Sequence, residues 1–187
     1  MKRRNIAIII LMLLITVLTL AACNDTTQGD KLAWVDALSK GSEAKSVEYA
    51  QSVTKGETLL TSCEQKYAKG ETNWTYEKTE KALSEDAYAS DAYTETVTSG
   101  SVDNAPILQL EKSMVESFEE KGEEEKEYAV KLFADKVKTF LKLSDAEAAK
   151  VSGVKLVITV TNDRVTSVTL EYKISDTSVQ QTLKYAY

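Results

Sequence analysis

Hydrophobic and polar residues alternate with a period of two along two stretches of the chain, residues 46–99 and 154–187. In the first stretch the alternation predicts three strands and then a fourth around Tyr93 to Val97. In the second stretch it predicts three strands, with a tight turn at Asn162-Asp163 between the first two. Strands joined by short turns predict an antiparallel meander in each stretch.

A helical spacing of apolar residues predicts helices elsewhere. Residues 30–41 begin with the N-cap residue Asp30 and end at glycine, which is typical of a short amphipathic helix. We predict a second helix over residues 106–118, and the apolar positions of residues 128–141 form the clearest helical stripe. Residues 144–147 match a capping box that begins a last short helix. Together these elements predict an α+β fold, with an antiparallel sheet of about seven strands and helices packed on one face.

The first 22 residues have the layout of a secretion signal. Lys2, Arg3 and Arg4 form a basic segment, and residues 6–22 contain no charged residue. An uncharged run of about 17 residues is also near the lower limit for a membrane-spanning helix, so its length leaves both interpretations open.

The end of this run, Leu20-Ala21-Ala22-Cys23, resembles the lipobox of bacterial lipoprotein signals. Small side chains suit an extended backbone in a peptidase site, and the Cys23 thiol is the nucleophile that can accept a diacylglyceryl group. The resemblance implies cleavage between Ala22 and Cys23, and diacylglyceryl and N-acyl lipid on Cys23. The alternative is an uncleaved anchor helix with a chance cysteine. In either case we expect attachment to the cell membrane, with the domain on its extracytoplasmic face.

The lipobox divides the chain into a signal peptide (residues 1–22), a flexible tether (residues 23–29) and a single globular domain (residues 30–187). The tether is polar and would reach about 20 Å at full stretch. Two or three long acyl chains hold a protein on a membrane essentially permanently, because each buried CH₂ group contributes about 0.8 kcal/mol. We therefore expect the domain to work close to the lipid surface.

Charge and composition exclude several classes of function. Loss of residues 1–22 would remove three basic residues and no acidic ones, so the formal charge would change from -6 to about -9. An acidic domain repels nucleic acid, and we expect no nucleic-acid partner. The chain has no histidine, the usual general base and zinc ligand, so we expect neither an enzyme nor a metal protein. The acidic run at residues 119–127 lacks the spaced ligands of a calcium loop, and we interpret it as solvated surface.

Cys63 is the only thiol that remains once Cys23 carries lipid, so no intramolecular disulfide can form. It ends the strand-like run Leu59–Cys63, and the chain offers no histidine to activate it. We expect a buried and unreactive thiol.

The order of predicted elements resembles that of the envelope lipoproteins of the LolA/LolB and LppX/LprG type. This order is a lipidated cysteine, a short helix, a strand meander, a helical insertion, and a hairpin followed by a strand. The resemblance rests on element order over most of the domain and not on motif residues. It implies a curved antiparallel sheet, shaped like a half-barrel, which helices close around a cavity for an acyl chain or a lipoprotein. By alternation, the residues lining such a cavity would be Phe133, Val137, Phe140, Val168, Leu170 and Tyr172.

Two functions fit these observations. A tethered, non-catalytic binding or interaction domain would dock another envelope protein, whereas a carrier or sensor would hold a lipid or other apolar ligand in the half-barrel cavity. We expect no cofactor besides the covalent lipid. The inward positions of the first meander include Gln51, Thr61 and Gln65, which are more polar than a lipid carrier requires.

The lipobox generates a direct test. We expect Cys23→Ala to abolish acylation, because the thiol is the group that accepts the lipid. Metabolic labelling with an alkyne fatty acid measures this. Equal labelling of the wild type and Cys23→Ala would remove the lipoprotein assignment.

Overall fold

The computed structural model describes residues 32–84 and 93–187. The predicted signal peptide (1–22), the tether (23–29) and the predicted N-cap residue Asp30 lie outside the described residues. Within the two described ranges, no helix is long and apolar enough to cross a membrane.

In the described part of the chain, nine strands form one antiparallel sheet. The strands are β1 (Ser46–Lys55), β2 (Thr58–Lys69), β3 (Trp74–Leu83), β4 (Tyr93–Val102), β5 (Val115–Lys121), β6 (Glu125–Leu132), β7 (Val151–Thr161), β8 (Arg164–Ile174) and β9 (Thr177–Ala186). Their order across the sheet is β4-β3-β2-β1-β9-β8-β7-β6-β5, so β4 and β5 are its two edges. The sheet is open.

The first and last strands meet near the middle of the sheet. β1 and β9 pair from Ser46 opposite Ala186 to Lys55 opposite Thr177, with no break in the register. Strands β1–β4 extend from this junction to one edge, and strands β9 to β5 extend to the other. The chain therefore crosses from edge to edge between β4 and β5, and the backbone N–H of Leu108 in this crossing donates a 3.2 Å hydrogen bond to the Tyr185 hydroxyl on β9.

The helices are short. They are α1 (Ala33–Ser39), α2 (Ala134–Leu141) and α3 (Asp145–Ala148), and 3₁₀ turns occur at Lys40–Glu43 and Lys112–Met114. The predicted capping box is confirmed at the start of α3, where the Glu147 N–H donates to Ser144 Oγ at 3.3 Å and the Ser144 N–H donates to Glu147 Oε2 at 2.9 Å.

We call the face of the sheet that carries the buried side chains Val47 and Val53 of β1 the inner face, and the opposite one the outer face. Buried apolar residues on the inner face of β5–β9 join residues of α1 and of the edge-to-edge crossing in one core cluster. Over β5–β9 the inner face is thus the apolar, covered face of the antiparallel sheet.

The expected strand count and one expected helix are wrong. The sheet has nine strands and not about seven, because residues 115–121 and 125–132 form β5 and β6. Residues 106–118, predicted as a helix, contain irregular chain, a 3₁₀ turn and the start of β5. The β5–β6 register breaks between Val115 and Ser117, so that Val115 lies opposite Leu132 and Phe118 lies opposite Val130. Val115 and Phe118 therefore share one face although they are three positions apart. Three-residue spacing on one face therefore comes from a β-bulge here and not from a helix.

The predicted stripe over residues 128–141 divides into two elements. Tyr128 and Val130 belong to β6, and α2 begins only at Ala134. Gly122 makes the preceding turn possible, because its φ is +86° and a Cβ there would lie 2.0 Å from the Glu125 carbonyl oxygen. The strand around Tyr93 to Val97 and the three C-terminal strands are confirmed, and both Asn162 (φ 52°) and Asp163 (φ 56°) adopt the left-handed backbone of a tight hairpin turn.

Burial on α2 generates a stability prediction. Leu141 is 1% exposed and belongs to the core cluster, whereas Phe133, just before the helix, is 41% exposed. We expect Leu141→Ala to lower the free energy of unfolding by about 2–5 kcal/mol, and Phe133→Ala to change it by less than about 1 kcal/mol. Urea denaturation followed by circular dichroism measures both. A larger loss for Phe133→Ala than for Leu141→Ala would contradict this assignment of the core.

Candidate functional site

An open recess of about 960 Å³ lies at the β5 side of the inner face. One side of α1, the hairpin of β5 and β6, and the turn between β7 and β8 form its walls. We call it the acidic recess. Its lining residues are Ala33, Trp34, Asp36, Ala37, Lys40, Phe118, Glu120, Glu123, Glu124, Lys126, Tyr128, Val160, Thr161, Asn162 and Asp163.

Three aromatic rings contribute to the recess. The rings of Trp34 and Tyr128 stack with centroids 4.8 Å apart and an interplanar angle of 15°. Phe118 meets Trp34 edge-on at 5.6 Å and Tyr128 at 5.9 Å. Such ring pairs stabilise the packing beyond the area they bury, and they hold α1 against β5 and β6. They give the recess a rigid apolar floor.

Charged side chains surround this floor. Five acidic side chains (Asp36, Glu120, Glu123, Glu124 and Asp163) and two basic ones (Lys40 and Lys126) line the recess, a formal charge of about -3. In the described residues, no group of three or more acidic or cysteine side chains is close enough to hold a metal ion. The carboxylates are spread around a rim and not gathered at one point.

Two of the rim carboxylates already have cationic partners. Asp36 Oδ1 lies 2.9 Å from Lys112 Nζ, and Glu120 Oε1 lies 2.8 Å from Lys126 Nζ. The hydrogen bond that the Lys126 ammonium donates to Glu120 raises the pKa of Lys126, with Asp163 adding to the shift, and burial raises the pKa of Tyr128. No ion pair joins Glu123, Glu124 or Asp163 to a basic side chain in the described ranges. These three carboxylates are available to attract an added cation.

A second group of polar residues lies on the inner face between β9 and β3. The hydroxyl of Tyr49 donates to Gln51 Oε1 at 2.6 Å, and the hydroxyl of Tyr67 donates to Gln65 Oε1. Nε2 of Gln181, opposite Gln51, is buried and has no hydrogen-bond partner among the described residues. The expected polar character of these inward positions is confirmed, because Gln51, Thr61 and Gln65 all face inward in the strand register.

An ion pair continues this polar region onto β3. Lys78 Nζ lies 2.7 Å from Glu80 Oε1, although the angles are not those of a hydrogen bond, and both side chains are about three-quarters buried. Cys63, opposite Glu80, is half-buried, and burial raises the pKa of its thiol despite the opposing effect of Lys78. A raised thiol pKa favours the less reactive protonated form at neutral pH.

The predicted cavity-lining residues lie elsewhere. Val168, Leu170 and Tyr172 on β8 are buried in the core cluster, and Val137 and Phe140 of α2 pack against that cluster. Phe133 is exposed. None of these six residues lines the acidic recess.

Sequence reasoning missed the aromatic floor. Trp34, Phe118 and Tyr128 come from three separate segments that were all predicted to be helical, whereas Phe118 and Tyr128 belong to strands. The acidic run at residues 119–127 was a usable signal, since Glu120, Glu123 and Glu124 all line the recess. Only the packing of α1 beside the β5–β6 hairpin turns that run into the wall of a concave site.

Comparison with known proteins adds no family to this description. No protein-family model matches the chain, and no curated protein has a significant sequence match to it.

Buried tyrosines generate a pH prediction. Burial raises the pKa of Tyr172 from 10.0 to about 12, so the unfolded chain loses this proton first as the pH rises. The stabilising contribution is complete below about pH 10 and is lost as the pH approaches 12. Between pH 8 and pH 11.5, we expect the free energy of unfolding of the wild type to fall by about 2 kcal/mol more than that of Tyr172→Phe. Urea denaturation at both pH values measures this, and identical losses would contradict the assignment.

Proposed function

We propose that this chain is a non-catalytic interaction domain, lipid-anchored on the extracytoplasmic face of the cell membrane, and that the acidic recess docks a basic segment of another envelope protein. The observation that carries the proposal is the recess: about 960 Å³ of open space with an aromatic floor and a formal charge of about -3. A lysine or arginine side chain can lay its aliphatic stem on such a floor and place its charge at the rim.

The position of the recess along the chain supports this proposal. Ala33 at the start of α1 lines the recess and follows Cys23 by ten residues. A chain of that length spans at most about 36 Å, so a lipid on Cys23 would keep the recess within that distance of the membrane. A partner in the same envelope layer would then meet the recess at a high local concentration.

The size and openness of the recess favour a protein segment over a single small amine. A lone ammonium group would contact one or two carboxylates, whereas Glu123, Glu124 and Asp163 belong to two different turns around the floor. A segment with several basic residues could reach all of them at once. Charge complementarity of this kind sets the choice of partner and the association rate more than the affinity.

The alternative proposal is a carrier or sensor of an apolar ligand in a half-barrel. A nine-stranded antiparallel sheet is compatible with that shape. Two observations favour the interaction domain: Val168, Leu170 and Tyr172 are already covered by packed core, and the rest of the inner face carries the largely buried Lys78–Glu80 pair. An acyl chain would remove the remaining water from these two charged side chains, which is costly.

Charge reversal at the rim tests the docking site. We expect the double variant Glu123→Lys/Glu124→Lys to bind a Lys/Leu-rich peptide about tenfold or more weakly than the wild type, because the rim charge changes from about -3 to about +1. The full-length protein in detergent micelles would be titrated at low salt. In a Trp74→Phe background, fluorescence of Trp34 reports binding at the aromatic floor.

The matched control is Glu57→Lys/Glu71→Lys. Both glutamates are exposed at turns, neither lines the recess, and the substitution changes the net charge by the same amount. We expect this control to bind the peptide almost as well as the wild type. Equal weakening by the two double variants would overturn the recess as the docking site. If the same protein bound tightly to vesicles that contain a cationic lipid and did not bind the peptide, the partner of the recess would be a lipid and not a protein segment.

A further inference from the structure

The two edges of the sheet differ in how they are protected against pairing. β5 is seven residues long, contains a register break and carries Glu116, Glu119, Glu120 and Lys121. Short length, bulges and charged side chains are the devices by which proteins prevent an edge strand from pairing with another chain. β5 has all three.

β4 lacks the short length and the register break, and it carries a single charged residue. It pairs with β3 over ten residues without a register break, from Tyr93 opposite Leu83 to Val102 opposite Trp74. It contains no proline and one charged residue, Glu95, whose carboxylate lies 3.1 Å from Lys81 Nζ. The edge is therefore long, regular and locally neutral in a chain with a formal charge of -6.

Exposed apolar side chains concentrate at the same edge. Four large hydrophobic residues are exposed in the described ranges, and three of them belong to β3 and β4: Leu83 (38%), Tyr93 (44%) and Val97 (59%). The strand register places all three on the outer face. The Tyr93 hydroxyl donates a 3.0 Å hydrogen bond to the Leu59 carbonyl on β2, so this side chain is held in place.

We propose that β4 is a dimerisation edge, on which the β4 strand of a second copy of this chain pairs antiparallel to form one continuous eighteen-stranded sheet. The occupant is a second copy because β4 is self-complementary. In a register centred on Val97, Val97 lies opposite Val97 and Thr96 lies opposite Thr98. Glu95 then lies opposite Ser99, so that the two Glu95 carboxylates are about 14 Å apart along the ladder.

The two faces of the sheet limit the choice of register. A two-fold axis perpendicular to the sheet keeps both inner faces on the same side, and such an axis pairs outer-face residues only with outer-face residues. The axis must then pass through a residue position, as it does at Val97. Pairing of β4 with itself closes the assembly at two copies, whereas pairing of β4 with β5 would continue without end, and the charged β5 edge opposes that outcome.

Disulfide trapping tests the register. Residues directly opposite in an antiparallel pair have Cα atoms about 4.5–5.5 Å apart, which is within the range of a disulfide. In a Cys63→Ser background, the full-length Val97→Cys protein in native membranes should form a disulfide-linked dimer after mild oxidation. The matched control is Ser101→Cys on the same face of β4, because two copies of position 101 would be about 27 Å apart. We expect a dimer band about tenfold stronger for Val97→Cys, and equal or absent bands would overturn this register.

A charge at the centre of the edge tests dimerisation without added cysteines. Val97 is exposed, so Val97→Lys should fold normally and place two ammonium groups opposite each other, whereas Val97→Thr keeps a neutral β-branched side chain. By native mass spectrometry in detergent, we expect a dimer for the wild type and Val97→Thr and a monomer for Val97→Lys. A monomeric wild type, or a dimeric Val97→Lys, would overturn the proposal. Glu123→Lys/Glu124→Lys should still dimerise, which separates failure at this edge from failure of the acidic recess.

Discussion

The hydrogen-bonded ladder between β1 and β9 is the constraint on which the rest of the structure depends. It pairs ten residues at one end of the described domain with ten at the other, without a break in the register. Four inner-face pairs follow from it: Val47 opposite Tyr185, Tyr49 opposite Leu183, Gln51 opposite Gln181, and Val53 opposite Val179. Without this ladder, the two meanders would be separate small sheets with four edges. With it, they form one sheet with two edges and a common inner face.

The inner face is not uniform, and its division explains where binding can occur. Toward β5 it is apolar and is covered by α1 and by the edge-to-edge crossing, so that Ile158 and Val165 are fully buried. From β9 to β3 it becomes polar, with the buried amide of Gln181 and the Lys78–Glu80 pair. The acidic recess lies at the β5 side of the packed half, between α1, the β5–β6 hairpin and the β7–β8 turn.

The two proposed interaction surfaces lie at opposite edges of the sheet. Part of the wall of the acidic recess comes from β5 and β6, whereas the proposed dimerisation edge is β4, eight strands away from β5. Strands are about 4.8 Å apart, so occupation of one surface would not block the other. A dimer of this kind would present two acidic recesses to one partner or to two, and binding at both recesses would raise the apparent affinity.

The sequence by itself determined the features that depend on local periodicity and local hydrogen bonds. Side chains of a strand alternate between faces, so the alternation at residues 46–99 and 154–187 was sufficient to predict seven of the nine strands, and the capping box at Ser144 involves only residues three apart. The lipobox prediction at Cys23 has the same local character, although it concerns residues outside those that the structure describes.

Only the tertiary structure decided the features that depend on register and on long-range contact. A β-bulge places Val115 and Phe118 on one face with the spacing of a helix, and the partner strand that creates this bulge cannot be identified from the spacing. The acidic recess requires Trp34, Phe118 and Tyr128 to meet. Trp34 and Phe118 are more than 80 positions apart in the sequence. Such contacts depend on strand order, which local patterns of hydrophobicity do not encode.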